Sequence, residues 1–220
     1  MSTLRTVVGT ITGLTACTMV AFTLSRKDFQ ARGPFSVFLA LTLYVSGGLI
    51  PGFILIRDLH LMNNFWVYIF PSMVNAFYIF MIRTYMDGLP FELQESAFID
   101  GANDIKIFFK IVLPLCTPVI ATIALFIAVG QWNSWFDTYL YNGSSDILTT
   151  LQFELMKILQ STQTGADQAR NNSTLEVMKS ITPESIKMAI TIVTVVPILM
   201  VYPFLQRYFV KGMTIGAVKS

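Results

Sequence analysis

One histidine, two cysteines and 13% charged residues are all that this 220-residue chain holds of the side chains that usually carry chemistry. His60 has no second histidine, and Cys17 and Cys116 stand far apart in or beside apolar stretches, so no standard metal-ligand spacing is present. The same two cysteines read as small buried side chains rather than as a disulfide. No G-x-x-x-x-G-K-[ST] phosphate cradle occurs; residues 212–220 offer glycines and a Lys-Ser pair, but the spacing is wrong and no helix follows. ATP hydrolysis, a resident metal and a bound cofactor are therefore not expected of this chain. Paired acids inside an apolar run, which a proton relay needs, are missing, and so is the internal repeat of many secondary transporters. A formal net charge of +2 with dispersed cations leaves no basis for nucleic-acid binding.

What the chain has is apolar length. It is 54% hydrophobic, with a mean hydropathy of +0.61, well outside the habits of a soluble domain. Five stretches, 6–24, 35–56, 65–86, 111–136 and 186–205, approach the ~20 residues needed to cross a hydrocarbon core. The expected fold is an all-α, polytopic transmembrane helical bundle of about five spans in a lipid bilayer. Arg5 precedes the first stretch without a small-residue cleavage site, which makes that stretch a span rather than a signal peptide.

The cations give the orientation. Arg26, Lys27 and Arg32, then Arg83, Lys106 and Lys110, then Arg207, Lys211 and Lys219 lie in three short segments that share one side if there are five spans. The other six, Arg5, Arg57, Lys157, Arg170, Lys179 and Lys187, fall opposite, mostly in or bordering one long connection. Long connections translocate with little regard to charge, so the bias puts the C-terminus and the segment near residues 87–118 in the cytoplasm.

Gly47, Gly48, Pro51 and Gly52 punctuate the second stretch, Pro71 the third, Pro118 the fourth, and Pro197 and Pro203 the fifth. Backbone groups freed by such breaks need partners from neighbouring helices or from water in a cavity. Bends around a translocation path and ordinary packing kinks both fit this punctuation. In the outward connection, 137–185, Leu148, Leu151, Leu155, Ile158 and Leu159 recur at helical spacing and predict an amphipathic helix. Residues 161–173, rich in Gln, Thr, Asn and Gly, read as a flexible loop.

Between the third and fourth stretches lies a polar segment, 92–118, with its own punctuation. Pro90 suits a first helical turn, Glu92 and Glu95 complement the positive end of the dipole, and Gly101 supplies the stop, which predicts a helix of about ten residues. Leu93, Ala97 and Phe98 or Ile99 give it an apolar side, with Glu95 and Asp100 polar. Asn103 is placed to cap a second helix with Ile105, Phe108, Phe109 and Val112 on one face and Lys106 and Lys110 on another, and Pro114 to break it and redirect the chain.

Glu95, Ala97, Asp100, Gly101 and Ala102, followed by Ile111, Leu113 and Pro114, resemble the EAA motif of permease subunits in binding-protein-dependent ABC importers. Ser96 stands where the motif usually has a second alanine, a small-for-small change. The ending 206–219 resembles carbohydrate-importer permeases of the maltose-transporter, MalG type, and Gln131-Trp-Asn-Ser-Trp-Phe-Asp137 is similar to segments in permeases for oligosaccharides, closest to an LplC-like group.

The resemblance covers essentially the whole chain, 1–220, as a single permease domain of the type I ABC importer fold. It implies that 87–118 is a cytoplasmic coupling loop in a bacterial plasma or inner membrane, docking an ATPase subunit through Glu95, Ser96, Ala97, Asp100, Gly101 and Ala102, with Pro114 as hinge. The implied partners are ABC ATPase subunits holding ATP and Mg, a second homologous permease, an extracytoplasmic sugar-binding protein and a carbohydrate substrate. Members usually carry one more span ahead of residue 6, so the chain is expected to lack that first helix.

Sugars present hydroxyls to amides and apolar faces to aromatic rings, which makes Asn75, Tyr78, Gln131, Trp132 and Asn133 the candidates for the substrate path. An interfacial aromatic belt is the competing role for Trp132, Trp135 and Tyr139. The competing functions are a stand-alone secondary transporter or channel, and a truncated permease that inserts but does not assemble.

Overall fold

The computed structural model describes residues 1–171, 185, 188–189, 191–197 and 199–200. Among the described residues every regular element is helical, as expected. The longest apolar helix, α1 (Ser2–Ser25), is continuous and is the one helix among the described residues long and apolar enough to cross a membrane unaided. Three bent pairs bring the count to as many as four. Of the expected fifth span, residues 188–189, 191–197 and 199–200 are helical and the rest lies outside the described residues.

The punctuation of the sequence decides where the spans break. The second stretch is two helices, α2 (Arg32–Tyr44) and α3 (Leu49–Asp58), bent by 115°, instead of one span over 35–56. Gly48, at φ +85°, turns the chain as the N-cap of α3, which leaves Pro51 in the first turn, where no helical N–H is missed. In the third stretch two short 3₁₀ turns, Phe65–Tyr68 and Phe70–Ser72, precede α4 (Ala76–Asp87) at a 49° bend. Pro71 sits in the second turn, and the Asn75 carboxamide starts α4 by accepting from the N–H groups of Phe77 at 2.9 Å and Tyr78 at 3.4 Å.

The polar segment folds as α5 (Glu92–Ile99), α6 (Asp104–Ile107), a π turn (Phe108–Val112) and α7 (Leu113–Leu115). The chain then bends by 82° into α8 (Thr117–Asn133). Beyond it are α9 (Phe136–Tyr141) and α10 (Leu151–Asn171). Helix α10 is the helix expected there, with Leu155 buried and Ile158 exposed, although Leu148 precedes it. The loop expected over 161–173 is helical as far as Asn171: Gln, Ala and Arg lose little in a helix, so they extend it despite Gly165.

Helix α1 is the axis of the bundle. Its Cys17, Ala21, Phe22 and Leu24 pack with Ile79, Ile82 and Met86 of α4, with Ile107, Phe108, Val112 and Cys116, and with Ile123 and Ile127 of α8. Lipid is as apolar as leucine, so close packing and polar contacts, more than hydrophobicity, hold such helices together. Gly9 and Gly13, one turn apart, permit that approach on the α8 side. A Cβ at Gly9 would lie 2.9 Å from the Gln131 side chain, and one at Gly13 would touch Ile127. This small-xxx-small pair is a sequence signal that the span assignment passed over.

Candidate functional site

The two ends of α1 carry different chemistry. At its C-terminal end lies the polar segment. Helix α5 closes as the sequence predicts: Gly101 has φ +78°, its N–H reaches Phe98 O at 3.0 Å, and the Ala102 N–H reaches Ala97 O at 3.0 Å. These two bonds form a Schellman motif, which satisfies carbonyls that the helix end would otherwise leave open. Ala97 and Ala102, the two residues that the motif brings together, are half-buried against the core. Their small side chains let α5 lie flat on the bundle.

The outward side of α5 stays bare. Leu93 is exposed, Phe98 is 61% exposed and Ile99 80%, with Glu95, Ser96, Asp100 and Gly101 also exposed. The Asn103 Oδ1 accepts from Lys106 N at 2.9 Å and so caps α6 as expected.

Two expectations for the second helix change. The buried face is Ile107, Phe108 and Val112, whereas Ile105, ahead of the π turn, and Phe109, within it, are exposed; the wider π turn moves the residues after Ile107 out of α-helical register. The redirection expected at Pro114 falls at Cys116, between Leu115 and Thr117. The π turn absorbs the missing Pro114 donor, while Pro118, in the first turn of α8, excludes the preceding helical carbonyl and forces a restart.

Ion pairs tie this end together. Arg26 Nη2 lies 3.1 Å from Asp104 Oδ1 and 2.9 Å from Asp28 Oδ2, joining the end of α1 to α6. The Arg26 guanidinium holds the Asp28 carboxyl below the ordinary carboxylate range, and Asp28 raises Arg26 in turn. Asp87 accepts from Arg32 at 3.2 Å and lies 3.5 Å from Arg83 Nε, while Arg83 Nη1 donates to Ser36 Oγ at 2.6 Å, which braces α2 against α4. Lys27 stands 4.9 Å over the Phe91 ring.

At the opposite end of α1, Arg5, counted from sequence as an outer flanking charge, is only 2% exposed. Its Nε donates to Gln131 Oε1 at 2.7 Å, its Nη1 to Ser134 O at 3.3 Å and its Nη2 to the Asp137 carboxylate. The guanidinium also lies 4.5 Å over the Tyr68 ring. Gln131 completes its bonding through Nε2, to Ser72 Oγ at 2.8 Å and Tyr68 O at 3.4 Å.

The other path candidates are scattered. Asn75 is exposed as the α4 cap, and Tyr78 is half-buried against the core. Trp132 Nε1 donates to Thr194 O at 3.3 Å, and Asn133 Oδ1 accepts from Gln152 at 3.0 Å. Trp135, Phe136 and Tyr139 cluster with ring centroids 5.7–6.3 Å apart, next to the Arg5 group. Sequence could have flagged Arg5 as an ionisable residue leading an apolar helix; its hydrogen-bond partners lie more than a hundred residues away in the chain and leave no local trace.

A helical bundle with broken spans, one bare two-helix loop and a satisfied polar lattice at the other end has the architecture of a membrane-embedded transport permease. The chain belongs to the family of binding-protein-dependent transport system inner membrane components, whose model matches residues 8–215. It is 39% identical to the polygalacturonan/rhamnogalacturonan transport system permease protein YtcP of Bacillus subtilis, over 100% of this chain and 76% of that protein. It is 38% identical to protein LplC of the same organism, over 98% of this chain and 71% of that protein. In structure it resembles a chain of a bacterial ABC transporter involved in the import of the acidic polysaccharide alginate, with a TM-score of 0.81 and 30% identity, covering 94% of this chain and 72% of that one.

Proposed function

We propose that this chain is the permease subunit of an ATP-driven carbohydrate importer, forming half of the translocation path and taking its power stroke through residues 87–118. The observation that carries the reading is the bare apolar side of α5. Phe98 and Ile99 are largely exposed on a short helix whose backbone is closed by Gly101 and whose small face rests on the bundle. Large apolar side chains at the tip of a polar loop would be costly in water, and a cleft on another protein relieves that cost.

In this reading the loop and the C-terminus are cytoplasmic and the docked partner is an ATPase subunit that binds ATP and Mg. The catalytic step belongs to that subunit, and Glu95, Ser96, Ala97, Asp100, Gly101 and Ala102 form the contact. A second homologous permease supplies the other half of the path, and an extracytoplasmic binding protein delivers the sugar. The Pro114 to Pro118 stretch acts as the hinge. Oligosaccharide is the substrate class favoured by relatives that transport polygalacturonan, rhamnogalacturonan or arabinooligosaccharides. Asn75, Tyr78, Trp132 and Asn133 line the path, and Gln131 shapes it from behind through its bonds to Arg5 and Ser72.

The test is co-purification of the ATPase subunit with tagged permease from membranes. Ile99→Asp or Glu95→Lys should strip the ATPase away while the second permease stays bound; full retention in both variants would remove the docking assignment. Uptake of labelled oligosaccharide into vesicles without ATP would point instead to a transporter working alone.

A further inference from the structure

The geometry points to Arg5 as a latch that fixes the end of the bundle remote from the coupling loop, with Asp137 as the partner it releases when that end opens. One guanidinium joins four pieces of chain: α1, which carries it, the 3₁₀ turn bearing Tyr68, the α8 end bearing Gln131 and Ser134, and α9 bearing Asp137. A cation sunk to 2% exposure in a membrane bundle is costly to desolvate, and well-packed apolar residues would hold the same elements as firmly or better. An ion pair in that place is better explained by switching than by stability.

The two partners are unequal in a way that fits switching. Arg5 is enclosed, whereas Asp137 is 34% exposed and also accepts from Ser134 Oγ at 3.0 Å. When α9 swings away, Asp137 meets water at once and keeps its hydroxyl partner, while Arg5 retains Gln131 and the Tyr68 face. With α9 in place the buried guanidinium has its carboxylate, and with α9 swung away it has none, so the pair is either made or lost and its loss must be driven by energy from elsewhere in the cycle. A group with that profile favours two discrete arrangements over a continuum. The Gly9 contact with Gln131 carries the same latch into the α1–α8 seam. Arg5 thus acts as a positioning residue for transport and touches no substrate.

This inference rests on the ATP-driven reading above, and the experiment separates the two. The complete transporter, with binding protein, is reconstituted in proteoliposomes as wild type, Arg5→Met, Asp137→Asn and the charge swap Arg5→Asp with Asp137→Arg. Substrate taken up per ATP hydrolysed is measured, together with ATPase activity without binding protein. The single variants should hydrolyse ATP without binding protein and lose about tenfold in substrate moved per ATP, with the swap recovering part of the loss. If Arg5→Met does not assemble, Asp137→Asn decides, because it keeps the shape of a half-exposed side chain. An assembled Asp137→Asn transporter with the wild-type ratio overturns the latch, even if it melts at a lower temperature. A wild-type transporter that shows no ATP-driven uptake overturns the function reading instead.

Discussion

The two ends of α1 solve opposite problems. At the Arg5 end each nitrogen of the guanidinium meets an acceptor within the chain, and Gln131, Ser72 and Tyr68 pass the bonding on. At the other end the carboxylates of the Arg26 pairs are largely exposed, and Phe98, Ile99 and Ile105 present most of their surface outward. Internal satisfaction marks a part whose geometry is fixed by the chain itself. Bare apolar surface marks a part whose final geometry depends on another molecule. Mutations at the first end should therefore appear mainly as stability or coupling changes, and mutations at the second mainly as changes in assembly.

The largest effect should come from Gly9→Val. Its Cβ would meet Gln131 at 2.9 Å, and the amide could retreat only by abandoning Arg5 or Ser72. Overpacking of this kind costs about 1–3 kcal/mol, read as a lower unfolding temperature of the purified permease in nanodiscs, with ATPase co-purification preserved among the folded molecules. An unchanged unfolding temperature would show that the α1–α8 seam is loose.

Gly101→Val tests the other end. A positive φ costs an L-residue about 1–2 kcal/mol, and a β-branched one is among the least tolerant, yet open space surrounds the site. The loss should therefore fall on the Schellman closure of α5 and leave the core intact. ATPase binding drops, the main unfolding transition barely moves, and Gly101→Asn retains more binding than Val because Asn enters the left-handed region more readily. Equal binding by the Val and Asn variants would mean that the left-handed turn is not needed for docking. Asn103→Ala removes the α6 cap at a cost of about 1 kcal/mol. It should raise amide exchange across 104–107 without altering exchange in α8.

Much of the loop end was legible because its determinants are local. Glu92, Gly101 and Asn103 each act on neighbours within a turn or two and stand where the sequence predicts, whereas Pro90, expected in the first turn, lies just ahead of the Phe91 cap of α5. The π turn was not legible, since Pro114 and Pro118 compete to break one ladder and packing of Ile107 and Phe108 decides between them. The Arg5 end was the least legible. Arg5 to Asp137 is a contact between distant parts of the chain, and one sequence with a positive residue before an apolar run fits an interfacial anchor equally well. The break between α2 and α3 was visible as Gly47, Gly48 and Pro51, but its 115° angle was not, because glycine permits a turn without setting its size.

The smallest effect belongs to the Arg26 and Asp28 pair, and it sets a limit on how much the exposed ion pairs hold. Arg26 keeps the Asp28 carboxyl below its ordinary value of 3.8. A carboxylate depressed in the folded state contributes stability that is complete above the ordinary value and disappears as the pH falls through the lower, folded one. Asp28→Asn should therefore differ from wild type by a constant amount between neutral pH and about pH 5, and the two should converge in more acidic solution. Asp28 is mostly in water, so solvent screening holds the constant difference to about a few tenths of a kcal/mol, and high salt should shrink it further. Urea titrations of the two proteins at several pH values would measure it. A difference that grew toward acid would reverse the assigned sign, and one well above the range of exposed pairs would mean that the loop end is as self-contained as the Arg5 end.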